Sequence, residues 1–493
     1  MKNHYLEILN NSQIQAIEEI SIKQGISGFQ LMENAGKAVA QEVITLLEGR
    51  TALVLCGPGN NGGDGYVTAR ILKNNGIPVR VASLRDPNTL TNDAAKHFAL
   101  WGGHAEHAGN ISIQKENLLI IDALFGSGLT RPLTNEVLKI SQTIAQNNLD
   151  CIAIDIPSGV NGNTGNILGG AIKASKTITF SRPKPGHFLY PGRSFCGKVL
   201  VKDIGISDKN IDKIAPQLFI NKPKLWQKNA KFLHRHWTDH KYTRGHATVI
   251  SGKKMPGAAR LAAQAARRIG AGLVTITCPP DNFATLSAGE PGTLIKSAPT
   301  QKQLMKILND RRQNAILVGP GTGLTKKTNA IVLQVLAMQN KTIVLDADAL
   351  SIFEKNPNTL FSAIKMPCIL TPHEAEFKRL FPMQGDRLSA VRKAAKLSGA
   401  IIILKGPDTI IASPSGDAAI NSNAPPTLAT AGTGDVLAGF VLGLLAQNTT
   451  PFDAACAAVW LHSEAANKFG NGLIAEDLPK MLPSVITSLV DSN

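Results

Sequence analysis

The chain has 493 residues, 43% hydrophobic and 18% charged, an ordinary globular balance that leaves room for two cores and excludes a membrane-spanning architecture. Lysine and arginine number 52 against 36 aspartates and glutamates, a formal charge of +16 that leaves nucleic acid, anionic lipid or an anionic small substrate as partner classes. The six cysteines are scattered without a CxxC pair and mostly sit in apolar runs, which excludes a disulfide framework and fits a reducing, cytoplasmic compartment.

Residues 12–48 carry helical spacing, with Ile14, Ile17 and Ile20 followed by Ala38, Val43 and Leu46. Thr51–Cys56 is a short apolar strand that runs into Gly57-Pro58-Gly59-Asn60-Asn61-Gly62-Gly63-Asp64-Gly65, with a helix expected from about Tyr66 to Asn75. The alternation repeats with strand Val79–Leu84, helix Asn92–Trp101, strand Leu118–Leu124, helix Asn135–Gln146 and strand Cys151–Ile156. Strands that are apolar throughout are covered on both faces, so the pattern predicts a parallel, doubly wound α/β sheet. Thr177–Ser181 and Lys198–Asp203 complete a first domain, residues 1–215.

Residues 216–243 turn polar and basic, with Lys224, Lys228, Lys231, Arg235 and Lys241 interleaved with Trp226, Phe232, Trp237 and Tyr242. Aromatics among basic residues can stack on bases, but no nucleic-acid motif accompanies them, and the expected role is a solvated linker. A second α/β domain, 244–493, opens with strand Ala247–Ser251 and helix Ala258–Ile269. It continues through strands at Leu273–Thr277, Ala315–Val318, Thr342–Leu345, Cys368–Leu370 and Ala400–Lys405, then a hairpin over Thr409–Ala419. The apolar run Val436–Leu445 is short and interrupted by Gly439 and Gly443, as in a core helix and unlike a membrane span.

Ligands of open parallel sheets collect at the carboxyl ends of the strands. In the second domain those ends carry Gly319-Pro320-Gly321-Thr322-Gly323, Asp346-Ala347-Asp348, Thr371-Pro372-His373-Glu374 and Lys405-Gly406-Pro407-Asp408. Ala429–Gly439 (ATAGTGDVLAG) adds a glycine turn that opens a helix, whose free amides can cradle a phosphate. Asp435 beside such a phosphate suits a base acting on a neighbouring hydroxyl, with helix capping as the structural alternative. His373 has the same alternative. Asp346 and Asp348 suit turns or a Mg²⁺ held through water. No GxxxxGK[ST] loop occurs, which argues against a Walker-type NTPase.

Through Gly252–Thr275, Gly319–Gly323, Leu345–Leu350 (LDADAL), Leu370–Glu376 (LTPHEAE), Leu404–Ile411 (LKGPDTII) and Ala429–Gly439, the second domain resembles the ribokinase-like ADP/ATP-dependent NAD(P)H-hydrate dehydratases. Through Gly57–Gly65, Asp122–Pro132 (DALFGSGLTRP), Asp155–Gly159 (DIPSG) and Phe180–Gly186 (FSRPKPG), the first resembles NAD(P)H-hydrate epimerases. The resemblance implies two three-layer folds, Rossmann-like and ribokinase-like, that repair NAD(P)H damaged by addition of water (NAD(P)HX). The first would interconvert the R and S hydrates. The second would dehydrate the S form using ADP, with AMP and phosphate as products.

In the first domain the resemblance places the hydrate on Asn60, Asn61, Gly62, Gly63 and Asp64, on the loop Gly126, Ser127, Gly128, Leu129, Thr130, Arg131 and Pro132, and on Asp155, the candidate acid/base. The amides of Asn60–Asp64 follow a strand and suit a pyrophosphate, although the GxGxxG spacing is missing. Asn61, Asp122 and Ser158 are hard oxygen donors that suit K⁺, which the resemblance also implies; capping of their own loops is the alternative. In the second domain it places Ala258 and His373 at the hydrate and Lys405, Gly406, Pro407, Asp408, Thr409 and Gly434 at ADP, counts Gly321, Gly323 and Asp435 among the binding residues, and implies Mg²⁺ with the nucleotide. Asp435 would then be the base and Gly432–Gly434 the anion cradle. The family's TPHxGE reads here with Ala375 in place of glycine, and Ser351 stands where asparagine is common after DADAL. The reading predicts a cytoplasmic homo-oligomer with no membrane and no nucleic-acid partner; its rivals are a vitamin or sugar kinase and a nucleic-acid-associated scaffold.

Overall fold

The computed structural model describes residues 5–111, 113, 117–234 and 236–491, which form two compact units, Met1–Pro216 and Gln217–Asn493. Arg235 of the basic run lies outside the described residues.

In the first unit β1 (Thr51–Cys56), β2 (Val79–Ser83), β3 (Glu106–His107), β4 (Leu118–Ala123), β5 (Asp150–Ile154), β6 (Lys176–Phe180) and β7 (Lys198–Lys202) build one sheet in the order β3-β2-β1-β4-β5-β6-β7. Every pairing in it is parallel. Strand order reverses between β1 and β4, and a crevice opens at their carboxyl ends. The single helical stretch expected over 12–48 is two helices, Asn11–Lys23 and Gly28–Leu46, separated at Gly25 with φ +105° and capped by the side chains of Asn10 and Ser27.

The helix expected from Tyr66 begins six residues earlier, at Asn60, and runs to Asn74. Its glycines explain the early start. A Cβ on Gly62 would lie 1.9 Å from the Gly57 carbonyl oxygen, and one on Gly65 would lie 2.7 Å from the Ala123 side chain. Only hydrogen fits where this helix lies against the sheet, so glycine here serves close approach and not a loop.

The second unit has a ten-stranded sheet built from β8 (Leu218–Ile220), β9 (His246–Ile250), β10 (Leu273–Cys278), β11 (Leu294–Ser297), β12 (Ala315–Val318), β13 (Thr342–Leu345), β14 (Cys368–Leu370), β15 (Ile401–Leu404), β16 (Ile410–Ala412) and β17 (Ala418–Ile420). The order is β11-β10-β9-β12-β13-β14-β15-β16-β17-β8, and only β15–β16 and β16–β17 pair antiparallel. The edge strand β11 (Leu-Ile-Lys-Ser) was not anticipated, because its short mixed sequence carries no apolar run.

The expected linker is part of this unit. β8 pairs in parallel with β17, and Asn221 Nδ2 donates to Asn421 Oδ1 and to the Cys456 carbonyl. Trp226 and Phe232 are buried and stacked at 6.2 Å, with Trp460 6.0 Å from Trp226. Their apolar area outweighs the charge of the intervening lysines, whose long side chains keep their ammonium groups in water. Of the four aromatics that could have stacked on bases, only Trp237 and Tyr242 are exposed, which removes much of the motive for a nucleic-acid reading.

The helix Thr433–Ala446 is buried from Val436 onward and lies along the helix Pro256–Arg268. A Cβ on Gly439 would come within 2.3 Å of the Ala262 carbonyl oxygen, and one on Gly443 within 2.4 Å of Ile269 Cγ2. The two glycines therefore set the distance between these helices, and with it the distance between their N-terminal ends. All six cysteines are buried and free. Among the described residues no helix is long and apolar enough to cross a membrane.

Candidate active sites

In the second unit the chain turns through Gly432 at φ +87° and enters the helix Thr433–Ala446 with no side chain capping its N-terminus. Val436 N makes the first helical bond, to the Gly432 carbonyl, so the amides of Thr433, Gly434 and Asp435 have no acceptor within the helix. Thr433 Oγ1 donates to the carbonyls of Leu428 and Thr430 and closes the preceding loop. Asp435 is half-buried and does not cap its own helix, which removes the structural alternative for this residue. Burial raises its pKa to about 6, with the Asp346 carboxylate adding to the rise and the Lys405 ammonium opposing it.

Lys405 Nζ donates to Asp346 Oδ1 at 2.9 Å. Burial disfavours its charge, yet the carboxylates of Asp346, Glu376 and Asp435 hold its pKa above the ordinary lysine value. A cavity of about 450 Å³ opens beside it, lined by Lys405, Gly406, Pro407 and Thr409, by Thr433 and Gly434, and by apolar Pro425, Leu428, Leu437 and Val459. Thr409 Oγ1 accepts from Gly406 N and donates to the Gly406 carbonyl, so this turn is held rigid. His462, which sequence reading passed over on an alanine-rich helix, lines the same cavity. Its Nε2 is 2.9 Å from the Thr433 carbonyl oxygen, and burial lowers its pKa to about 4.

Other expected residues take different places. Asp408 is fully buried and ion-paired with Arg387, so its side chain braces the loop after β15 and is not among the residues lining the cavity. Asp348 Oδ2 accepts from Gly323 N at 2.7 Å, a turn role. His373 caps the helix Glu374–Leu380, with Nδ1 accepting from Ala375 N and Glu376 N, and Ala375 is an exposed residue of that first turn, where glycine is not required. Gly321, at φ +66°, is held against Met255, since a Cβ on it would meet the Met255 carbonyl oxygen at 2.5 Å. That contact brings Gly321 close to the helix that carries Ala258.

In the first unit Asp155 leaves β5 with φ +67°. Its Oδ1 accepts from Lys184 Nζ at 2.6 Å and its Oδ2 from Ser127 N at 2.8 Å, while Lys184 Nζ also donates to Thr179 Oγ1. Burial opposes the Asp155 charge, but the Lys184 ammonium overrides it and holds the carboxyl well below the usual range. His187 Nε2 lies 2.8 Å from the Asp155 carbonyl oxygen, and burial together with Lys184 lowers its pKa to about 4. Asp64 goes the other way: burial, then the Asp155 and Glu18 charges, raise it well above the carboxylate norm. Lys184 and His187 were not singled out in the sequence. The available signal was a lysine inside the Pro- and Gly-rich loop that follows β6.

Asn61 is buried, and neither Oδ1 nor Nδ2 has a hydrogen-bond partner. A Cβ on Gly126 would lie 2.9 Å from Asp155 Oδ2 and 3.4 Å from Asn61 Oδ1, so that glycine sits between them. Asp122 is fully buried and accepts from Ser158 N, Ser158 Oγ and Leu124 N, yet burial still pushes its pKa up to about 6. The unpartnered, buried amide oxygen of Asn61 is an oxygen donor of the kind a hard monovalent cation takes.

Residues 247–488 match the family model described as NAD(P)H-hydrate dehydratase, and residues 28–186 match that of the YjeF-related protein N-terminus. A crystal structure of the ADP/ATP-dependent NAD(P)H-hydrate dehydratase from Bacillus subtilis, co-crystallized with ATP/Mg²⁺, is similar at TM-score 0.44 and 28% identity, covering 53% of this chain and 97% of that one. The bifunctional NAD(P)H-hydrate repair enzyme of Salinibacter ruber is 33% identical over 97% of this chain and 96% of its own length. That of Escherichia coli is 31% identical over 95% and 92%. With both domain models matched in order and relatives of this identity spanning nearly its whole length, the chain belongs to the family of bifunctional NAD(P)H-hydrate repair enzymes.

Proposed function

We propose that the two units carry out successive steps of NAD(P)H-hydrate repair, and that Asp435 and the Asp155–Lys184 pair are the groups that move protons. The observation that carries this reading is the uncapped helix start at Thr433–Asp435, which combines free amides, an uncommitted carboxyl and a lysine-lined cavity. ADP occupies the cavity with its β-phosphate on those amides. Asp435 takes the proton of the ring hydroxyl as that oxygen attacks phosphorus and AMP leaves. Phosphate is then expelled from the ring carbon, and the neighbouring carbon loses a proton to restore the double bond. Asp346 would hold, through water, the Mg²⁺ that accompanies the nucleotide, and that ion would neutralise phosphate charge.

In the first unit, inversion of the hydroxylated carbon proceeds by reversible ring opening. The hydroxyl gives up its proton as the C–N bond breaks, the ring nitrogen takes one, and reclosure occurs on the other face. Asp155 accepts and Lys184 donates. Asn61, Asp122 and Ser158 would hold K⁺, which supplies fixed positive charge for the substrate.

Purified protein given mixed R and S hydrates plus ADP is expected to convert both completely to NAD(P)H, followed by absorbance of the reduced ring. A halt after the S portion removes the epimerase assignment; no conversion at all removes the dehydratase assignment.

The dehydration rate also reports the ionisation of Asp435. Only the carboxylate can accept the proton, so the rate on S hydrate rises about tenfold per pH unit in acid. It levels above an apparent pKa near 6, the raised value of this group. A rate unchanged down to pH 4 would remove Asp435 from the base role.

A further inference from the structure

A second cavity in the first unit, of about 400 Å³, lies over the carboxyl ends of β1, β2, β3 and β4. Its lining includes Pro58 after β1, Leu84, Arg85 and Asp86 after β2, His107 in β3, and Phe125, Leu129, Arg131 and Glu136 after β4. The proposed chemistry at Asp155 uses none of Arg85, His107 or Glu136.

Continuity with the Asp155 site is built into one loop. Phe125, at its start, donates its N–H to Ser158 Oγ, and Ser127 N donates to Asp155 Oδ2, while Leu129, Arg131 and Pro132 further along form the cavity wall. A dinucleotide with its hydrated ring at Asp155 and its pyrophosphate at the Asn60 helix start therefore has its adenosine end directed along this loop. In a sheet of this strand order the residue just past β2 reads the 2′ position of the adenosine ribose: a carboxylate there takes a free 2′-hydroxyl, and an arginine takes a 2′-phosphate.

Both residue types stand at that point here, and their surroundings separate them. Asp86 Oδ1 is spent on its own turn, accepting from Asn88 N and Asn88 Nδ2. Arg85 and Arg131 are exposed, and among the described residues neither guanidinium has an ion-pair partner. Glu136 Oε1 is buried in the same wall without a hydrogen-bond donor, and His107 Nδ1 lies 3.5 Å from it.

We propose that this cavity is an adenosine 2′-phosphate subsite of the first unit, in which Arg85, assisted by Arg131, makes the unit prefer hydrated NADPH over hydrated NADH. The proposal rests on the epimerase reading of this unit.

The test uses the full chain without ADP, so that the second unit is idle, and measures interconversion of the R and S hydrates of each cofactor. Arg85→Ala is expected to raise KM for hydrated NADPH about tenfold or more, the loss of a charge-assisted contact. KM for hydrated NADH should change less than about twofold, with kcat retained for both, and Arg85→Lys should restore part of the difference. Equal weakening for both cofactors, or no change for either, overturns the subsite. Calorimetry with adenosine 2′,5′-bisphosphate separates this from failure of the epimerase reading. If the wild-type chain interconverts no hydrate, that reading falls, while binding of the bisphosphate that is lost in Arg85→Ala would still uphold the subsite and binding unaffected by Arg85→Ala would overturn it.

Discussion

Asp435→Asn is expected to lower the dehydration rate about 10³-fold, the middle of the range for removing a positioned general base, while the affinity for ADP stays within about twofold. The two effects separate because different atoms are responsible. The proposed phosphate cradle consists of the backbone amides of Thr433–Asp435, which an amide side chain leaves untouched, and the cavity wall is contributed by Lys405, Gly406, Pro407, Thr409 and Leu437. Asparagine has the shape of aspartate but cannot take the hydroxyl proton. A neutral side chain also relieves repulsion from the Asp346 carboxylate, so the variant should fold at least as stably as the parent. Single-turnover rates with S hydrate and ADP, together with calorimetric titration of ADP, check both halves. A rate within about tenfold of wild type would transfer the base role elsewhere.

Asp155→Asn is expected to slow interconversion of the R and S hydrates about 10²-fold or more while leaving dehydration of pure S hydrate unchanged. The variant leaves the Lys184 ammonium buried at 2% exposure without its counter-charge. Removing one partner of a buried pair costs roughly 3–5 kcal/mol, so loss of fold is a competing cause. Lys184→Met in combination with Asp155→Asn removes both charges and with them the uncompensated one. If the double variant unfolds at or above the temperature of Asp155→Asn and still lacks epimerisation, the defect is chemical. Spared dehydration in the same chain shows that the second unit is intact. Loss of both activities in a folded double variant would break the assignment of one reaction to each unit.

The placement of Asp64 gives this pair a chemical context. Asp155 is kept ionised by Lys184, while burial and neighbouring carboxylates push Asp64 toward the neutral form.

Strand positions and strand type were legible from residues alone, because runs such as Thr51–Cys56, Leu118–Ala123 and Thr342–Leu345 are apolar on both faces, and only a covered parallel sheet accepts that. The glycine turn before Asp435 was equally readable, since a positive φ at Gly432 and an uncapped helix are local properties of the chain. Local pattern misplaced the start of the helix at Asn60, because glycine normally argues against helix, and here its missing side chain is what lets the helix lie on Gly57 and Ala123. The basic stretch after Pro216 looked like solvated linker until Trp226 and Phe232 were seen buried and β8 was seen added to β17, both contacts made across more than 190 residues of sequence. Lys184 and His187 are ordinary loop residues by sequence. Their role depends on charge brought to Asp155 from a different strand end, and electrostatics at a few ångströms in a buried site is set by the folded arrangement of those ends.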